Sequence, residues 1–170
     1  MTDCHRSREV ADPNNRYDIH ALGCGYAKMV SAELLIQRPG DNLTFLNRGI
    51  SGNRIVDLYG RIKLECINLN PNLISVLIGV NDTWHEFSRK NGVEVPKFER
   101  LYRAFLTEIR EALPAVKCVI CEPFVLKCGV VTDEWVAEMD QRRAQAPSLY
   151  SLGLAPVQRR KAVEKTLGSA

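Results

Sequence analysis

The run from Leu73 to Ile78 restricts the possible fold more than any other stretch of the sequence. Its six residues are mostly branched and apolar, do not alternate with polar residues, and stop at Gly79. This pattern is typical of a strand buried on both faces, as in a parallel sheet between helices. Asn81 and Asp82 follow directly. Because ligands of open parallel sheets bind outside the carboxyl ends of the strands, the pattern predicts that Asn81 faces a ligand crevice.

Helical and strand patterns alternate along the rest of the chain. Apolar residues at three- and four-residue steps predict helices over about residues 23–37, 55–69, 96–113, 133–144 and 157–167. The side chains of the first helix that are expected to face the core are those of Tyr26, Met29, Val30 and Leu34. Apolar runs predict strands over about residues 43–47, 73–78, 117–121 and 152–155, and residues 83–95 are predicted to form a loop. This order predicts an α/β fold, a three-layer α/β/α parallel sheet with right-handed crossovers, in one domain over residues 1–170.

Composition excludes several classes of protein. The 170 residues are 45% hydrophobic and 25% charged, which is ordinary for one globular domain. The net charge of +3 comes from 23 basic and 20 acidic residues that are mixed along the chain, so no nucleic-acid partner is predicted. No apolar run approaches the roughly 20 residues that span a bilayer. The first residues lack the apolar core of a signal peptide, and a cytoplasmic location is therefore expected.

Six cysteines raise the question of a metal site, most directly in the segment Cys118-x-x-Cys121. Both residues lie in an apolar run that predicts a strand, where positions three apart point to opposite faces. They would then not share a metal ion. We therefore expect buried structural thiols and no metal, because free cysteine is commonly buried.

Two predicted strand ends carry the same kind of polar chemistry. The first is followed by Gly49, Ser51, Gly52 and Asn53, and the second by Gly79, Asn81 and Asp82. A glycine lets a backbone N–H approach a substrate oxygen closely, and an asparagine amide supplies another neutral donor. Two donors aimed at one point are what an oxyanion hole requires. The alternative is that both segments are ordinary turns.

The same residues resemble a known family. The segment Asn47–Asn53 and the segment Ile78–Asp82, separated by a helix and a strand, resemble the second and third motif blocks of the SGNH (GDSL-type) hydrolases. The resemblance implies a flavodoxin-like fold and the hydrolysis of small-molecule esters, acyl esters or acetylated carbohydrates, by a Ser-His-Asp set without a metal or organic cofactor. It also implies that the Gly52 N–H and the Asn81 amide form the oxyanion hole.

Two motifs of that family have no counterpart in the sequence. Met1–Cys4 resembles the residues that follow the family's Gly-Asp-Ser motif, so the nucleophilic serine and the first strand would precede Met1, and Asp3 would adjoin the substrate. The family's Asp-x-x-His block is absent, because no histidine follows Ala144. We therefore expect an incomplete and inactive domain. Without its first strand the chain is expected to be marginally stable, or to repair the sheet by edge pairing or association.

Substitutes within the chain are weaker candidates. Ser51 lies in a pattern like a nucleophile elbow, but that pattern needs glycine where Asn53 stands. Asp82 and His85 have Asp-x-x-His spacing but belong to the third block, so we expect Asp82, Trp84 and His85 to form a substrate loop. The alternatives to an esterase are a non-catalytic binding protein that keeps the crevice and a disrupted reading frame.

Overall fold

The sheet is parallel and its strands follow the order β1-β2-β3. In this computed structural model, which describes residues 22–150 and 155–156, the strands are β1 (Leu73–Leu77), β2 (Lys117–Cys121) and β3 (Ala155–Pro156). Leu73 lies opposite Lys117 and Leu77 opposite Cys121. The two predicted central strands are thus confirmed. Of the predicted strand 152–155, only Ala155 lies within the described residues, and it belongs to β3.

Six α-helices are described. They are α1 (Tyr26–Gln37), α2 (Ile55–Gly60), α3 (Ile62–Glu65), α4 (Val80–Arg89), α5 (Val95–Ala112) and α6 (Asp133–Tyr150), with 3₁₀ turns at Pro39–Asp41 and Ile67–Leu69. The helix predicted over 55–69 is broken at Arg61 and Cys66. The predicted helix over 157–167 and the residues before Leu22 lie outside the described part. No helix of the described part is both long and apolar enough to cross a membrane.

The hydrophobic core lies on one face of the sheet. Alternate strand residues pack there with apolar side chains that recur at three- and four-residue steps along α5, as predicted. The main members are Ile74, Val76, Cys118 and Ile120 from the strands, Ile55 and Leu58 from α2, and Phe98, Tyr102, Phe105 and Ile109 from α5. Full burial of such a side chain contributes about 1.5–3 kcal/mol, so this cluster fixes α2 and α5 against the strands.

The opposite face of the sheet is only half-buried, contrary to the prediction that β1 is buried on both faces. Ser75 and Leu77 remain partly accessible there, and the Tyr26 hydroxyl of α1 lies 2.8 Å from Ser75 Oγ. The predicted inward turn of Met29 and Val30 is also wrong, since both side chains are exposed. The hydrophobic pattern of α1 therefore does not identify a buried face.

The strand predicted over 43–47 does not form. Within the described residues, the ladder hydrogen bonds of β1 all go to β2, so this segment finds no partner strand and the two edges do not pair. The side chain of its last residue, Asn47, instead binds backbone groups outside the sheet. Asn47 Nδ2 donates to the distant Leu22 carbonyl at 2.9 Å, and Asn47 Oδ1 accepts from the Gly49 N–H in the following turn at 2.9 Å. An extended segment without a ladder gains none of the stabilisation of a strand.

The loop predicted over 83–95 is wrong for residues 83–89, because α4 continues to Arg89, and only residues 90–94 connect α4 to α5. The helix ends at Lys90, whose φ of 53° is left-handed and whose N–H donates to the Glu86 carbonyl at 3.0 Å. Its inward face carries Asp82 and Thr83, both fully buried. The sequence does carry a helical apolar period here, since Val80, Trp84 and Phe87 recur at steps of four and three residues, but the loop prediction overlooks it.

A buried polar network joins α4 to α2 and α6. Asp82 Oδ1 accepts the Ile55 N–H at 3.0 Å, at the start of α2. On the next residue, Thr83 Oγ1 accepts from Nε of the fully buried Arg142 at 2.9 Å. Arg142 also pairs with Glu138 and lies 5.2 Å from the centroid of the Phe98 ring. Burial raises the pKa of Asp82 from 3.8 to about 6, against the opposing effects of the Ile55 N–H and Arg142.

We expect Asp82 to make stability fall as the pH rises. Because its folded pKa lies above its unfolded value, the folded state holds a proton that the unfolded state has released. The stabilisation is complete below pH 3.8 and is lost as the pH rises through about 6. Between pH 5 and pH 8, Asp82 should therefore lower the unfolding free energy of the unaltered chain by about 1 kcal/mol. Asp82→Asn should lack this contribution, so the difference between the two proteins should shift by that amount in favour of the variant. Denaturant unfolding at both pH values measures this difference. The exposed carboxyl of Asp133 supplies the control, Asp133→Asn, and an equal shift in both variants would contradict the assignment.

Gly79, between β1 and α4, should not tolerate a side chain. Its φ is +132°, and a Cβ would lie 3.0 Å from Pro123 Cβ and 3.1 Å from Pro123 Cγ. Backbone strain and overpacking together should make Gly79→Ala lose about 2–4 kcal/mol of unfolding free energy. In the control Gly60→Ala the added Cβ meets nothing within 4 Å, and a change of no more than about 1 kcal/mol is expected. Equal stability of the two variants in urea would contradict this packing.

Candidate active site

The two polar segments that follow the predicted strands meet in space. Asn81, in the first turn of α4, is buried, and its Nδ2 donates to the carbonyl oxygen of Asn53 at 3.2 Å. Gly52 immediately precedes Asn53 and has a φ of +84°, a left-handed conformation that favours glycine. The structure thus brings the loop of Gly52 against the side-chain amide of Asn81, as the sequence predicted. Their role in binding an oxyanion stays a prediction.

An arginine from the break between α2 and α3 fixes the Gly52 loop. Arg61 Nε donates to Asn53 Oδ1 at 2.9 Å, and Arg61 Nη1 donates to the Arg48 carbonyl at 2.8 Å. The Asn53 N–H closes the turn by donating to the Ile50 carbonyl at 3.2 Å. Sequence reasoning missed Arg61. An arginine eight residues after a glycine-rich turn has no local signature, because the contact depends on how the helix folds back.

His85 lies beside the Gly52 loop. A Cβ placed on Gly52 would lie 4.0 Å from His85 Nε2. Helical geometry explains this position, because residues four apart on a helix are neighbours, and His85 is four residues after Asn81 on α4. The predicted substrate loop is therefore a rigid helical face, and His85 stands one turn beyond the amide.

A hydrogen-bonded pair that the sequence analysis missed, Arg54 and Asp57, lies at the start of α2 near His85. The Arg54 N–H donates to Asp57 Oδ2 at 2.9 Å, and Arg54 Nε donates to the same oxygen at 3.0 Å. Partial burial raises the pKa of Asp57, but the hydrogen bonds and charge of Arg54, with a smaller effect of His85, leave it lowered overall. Asp57 is thus held ionised near His85. An acidic residue at the third position of a helix is the available sequence signal, since it favours a capping contact with the preceding backbone.

The other predicted site residues lie in different environments. Asp82 points into the interior and carries the buried network, so it does not line an open substrate loop. Trp84 is 44% exposed on α4, and Ser51 is exposed in the Gly52 loop. Asp3 lies outside the described residues.

The cysteines that the structure describes do not form a ligand set. Cys118 is buried in the core and Cys121 is half-buried on the opposite face of β2, as the strand geometry predicted. Burial raises the pKa of Cys66 to about 11 and also raises the pKa of Cys118, so both thiols stay protonated at neutral pH. Among residues 22–145, whose side chains are described, no three His, Cys, Asp or Glu residues are placed to hold a metal ion.

A cavity of about 420 Å³ lies away from this site, on the outer surface of α5. Its lining residues are Arg100, Arg103, Ala104, Thr107 and Glu108. None of them belongs to the Gly52 loop or to α4. The candidate site lies instead beyond the carboxyl end of β1, at the edge of the sheet where ligands of parallel α/β folds bind.

Solved structures share this architecture. A GDSL-like lipase from Parabacteroides merdae superposes with a TM-score of 0.83 at 33% identity, covering 93% of this chain and 72% of that one. A catalytic mutant of an acetylxylan esterase from Geobacillus stearothermophilus also reaches a TM-score of 0.83, at 26% identity over 100% of this chain and 77% of that one.

The sequence comparisons agree with the structural ones. The acetylxylan esterase of Geobacillus stearothermophilus is 32% identical over 146 residues, which is 83% of this chain, and the chain spans 63% of the length of that relative. The family described as GDSL-like lipase/acylhydrolase matches residues 14–155. Together with the parallel sheet and the loop that abuts Asn81, these matches establish that the chain belongs to the GDSL-like lipase/acylhydrolase family, within the SGNH hydrolases.

Proposed function

We propose that this chain carries the oxyanion-stabilising part of an ester-hydrolysing site. The observation that carries the proposal is the contact of the Asn81 amide with the backbone at Asn53, next to Gly52. When a serine oxygen attacks an ester carbonyl, the carbonyl electron pair moves onto oxygen. The Gly52 N–H and an Asn81 amide N–H then donate to that oxygen, and collapse of the intermediate expels the alcohol. Donors held in place before the reaction stabilise this charge without reorganising.

We propose further that the 170-residue chain needs a serine and a histidine beyond the groups of its crevice. Its three histidines are His5, His20 and His85, so the Asp-x-x-His block of the family has no counterpart near residue 170. In the Geobacillus stearothermophilus esterase, the catalytic mutants replace an aspartate in one structure and a serine in another. A serine hydroxyl without a neighbouring base is a poor nucleophile at neutral pH.

The proposed substrate is a small ester, and an acetyl ester of a carbohydrate is the favoured class. The names of the relatives support it, because they include acetylxylan esterases. The reaction we propose uses neither a metal nor an organic cofactor, because hydrogen-bond donors alone stabilise the developing charge. Cytoplasmic location remains a prediction.

Ester hydrolysis by the chain as it stands tests the need for additional groups. We expect p-nitrophenyl acetate to be hydrolysed at the same low rate by the unaltered chain and by Asn81→Ala, because no activated nucleophile uses the amide. A rate that falls at least tenfold in Asn81→Ala would contradict the inactivity of the chain. Ser51→Ala and His85→Ala would then identify whether Ser51 attacks with His85 as its base.

A chimaera tests the oxyanion role itself. Gly-Asp-Ser and Asp-x-x-His segments from a family relative would be joined to the two ends of the chain, and kcat/KM measured on p-nitrophenyl acetate. Asn81→Ala should lower kcat/KM about 10²–10³-fold, the typical cost of losing one oxyanion donor. Asn68→Ala, which removes an exposed amide in the turn after α3, is the matched control and should leave the rate unchanged. An active chimaera in which Asn81→Ala and Asn68→Ala behave alike would overturn the proposal.

A further inference from the structure

An aromatic cluster stands beside the candidate site and is not used by the oxyanion chemistry. Trp84 and Phe87 of α4 both pack on Trp135 of α6, with ring centroids 5.1 Å apart in each pair. The planes of Trp84 and Trp135 meet at 89°, whereas Phe87 stacks on Trp135 at 20°. Trp135 is 7% exposed but Trp84 is 44% exposed. The cluster therefore consists of a buried base and one indole that is partly open to solvent.

The helix places this indole next to the proposed oxyanion donor. Trp84 is three residues after Asn81, and His85 is four residues after it, so all three lie on one face of α4. Neighbours at these spacings have Cβ atoms about 5–6 Å apart. A ligand whose ester reaches Asn81 would therefore bring the atoms beyond its ester oxygen over Trp84 or His85.

We infer that Trp84 is a stacking platform for a sugar ring of the ester substrate, which deepens the proposed function and rests on it. One face of a pyranose ring presents C–H groups and its rim presents hydroxyls, so it needs an apolar plane flanked by polar side chains. Trp84 supplies the plane, His85 follows it on α4, and the Arg54–Asp57 pair lies near His85, so polar groups are available close to the plane. Sites of this kind combine aromatic surface with a few placed polar groups.

The packing of the cluster holds the Trp84 side chain in one orientation before a ligand binds. An exposed side chain that is free to rotate loses conformational entropy when a ligand fixes it, and this loss weakens binding. Trp84 is instead braced edge-to-face against Trp135, which is itself covered by Phe87. A second exposed aromatic, Phe124, follows Pro123, which packs at Gly79 beside the same sheet edge.

Binding of an unacetylated sugar tests the platform without requiring hydrolysis. Xylotetraose would be titrated into the 170-residue chain by calorimetry. We expect Trp84→Ala to weaken binding at least tenfold and Trp84→Phe to weaken it less than threefold, because phenylalanine retains a ring face. Leu64→Ala is the matched control, since it also removes an exposed apolar side chain (69% exposed) but lies on α3. Thermal melting of each variant separates lost binding from lost folding.

The outcomes distinguish this inference from the proposed function. Unchanged affinity in a folded Trp84→Ala variant, or no binding of xylotetraose to the unaltered chain at millimolar concentration, would overturn the platform. A self-association that Trp84→Ala abolishes, without sugar binding, would make Trp84 a protein contact and overturn it as well. Failure of the oxyanion role would appear instead in the p-nitrophenyl acetate assay of the chimaera, because that substrate has no sugar ring.

The chain has two tryptophans, so a fluorescence change on sugar binding that disappears in Trp84→Phe assigns the contact to Trp84.

Discussion

One buried hydrogen bond sets the geometry on which the candidate site depends. The Ile55 N–H at the start of α2 donates to Asp82 Oδ1 in α4. Both residues are fully buried, so water cannot supply a replacement hydrogen bond to either group. An unpaired N–H there would cost about 1–3 kcal/mol, so the start of α2 cannot move independently of α4. The Gly52 loop ends where α2 begins, and Asn81 immediately precedes Asp82. The bond therefore places the loop against the amide.

The network around this bond is costly to bury, and its hydrogen bonds offset only part of that cost, since Asp82 Oδ2 and Arg142 Nη1 have no hydrogen-bond partner among the described residues. Asp82 lies in the interior with its pKa raised by desolvation, while Arg142 beneath it is held by Thr83, Glu138 and the ring of Phe98. Buried ionic groups contribute less to stability than to a unique arrangement in some proteins. Here the arrangement they specify is the junction of α2, α4 and α6. A purely apolar junction could slide, whereas directional hydrogen bonds permit one register.

The sequence could predict those parts of the fold whose signal is apolar and local. β1, β2 and α5 follow from their apolar patterns, because each buries a continuous apolar surface in the core. The contact of the Gly52 loop with Asn81 agrees with the prediction, although no strand in the described part of the chain precedes that loop. The bond of the Ile55 N–H to Asp82 and the contacts of Arg61 hold the loop in place instead. The helix α4 also has a local signal, the recurrence of Val80, Trp84 and Phe87 at steps of four and three residues, which the loop prediction overlooks. Its buried polar contacts could not be predicted, because their partners are distant in the sequence. The prediction of a strand over residues 43–47 is wrong for another reason. A segment that favours an extended backbone becomes a strand only when a neighbouring strand is present to form hydrogen bonds with it.

The helical form of α4 has a consequence for how the site works. In a loop, Asn81, Trp84 and His85 could each adjust to a ligand separately. On a helix they move together, with spacings set by 1.5 Å of rise and 100° of turn per residue. The opposite face of the same helix is held by Asp82 and Thr83, so the network that positions Asn81, the proposed oxyanion donor, also orients Trp84, the proposed platform. Changes in the buried network should therefore alter both functions at once, whereas changes at Trp84 alter only the recognition of the alcohol part of the ester.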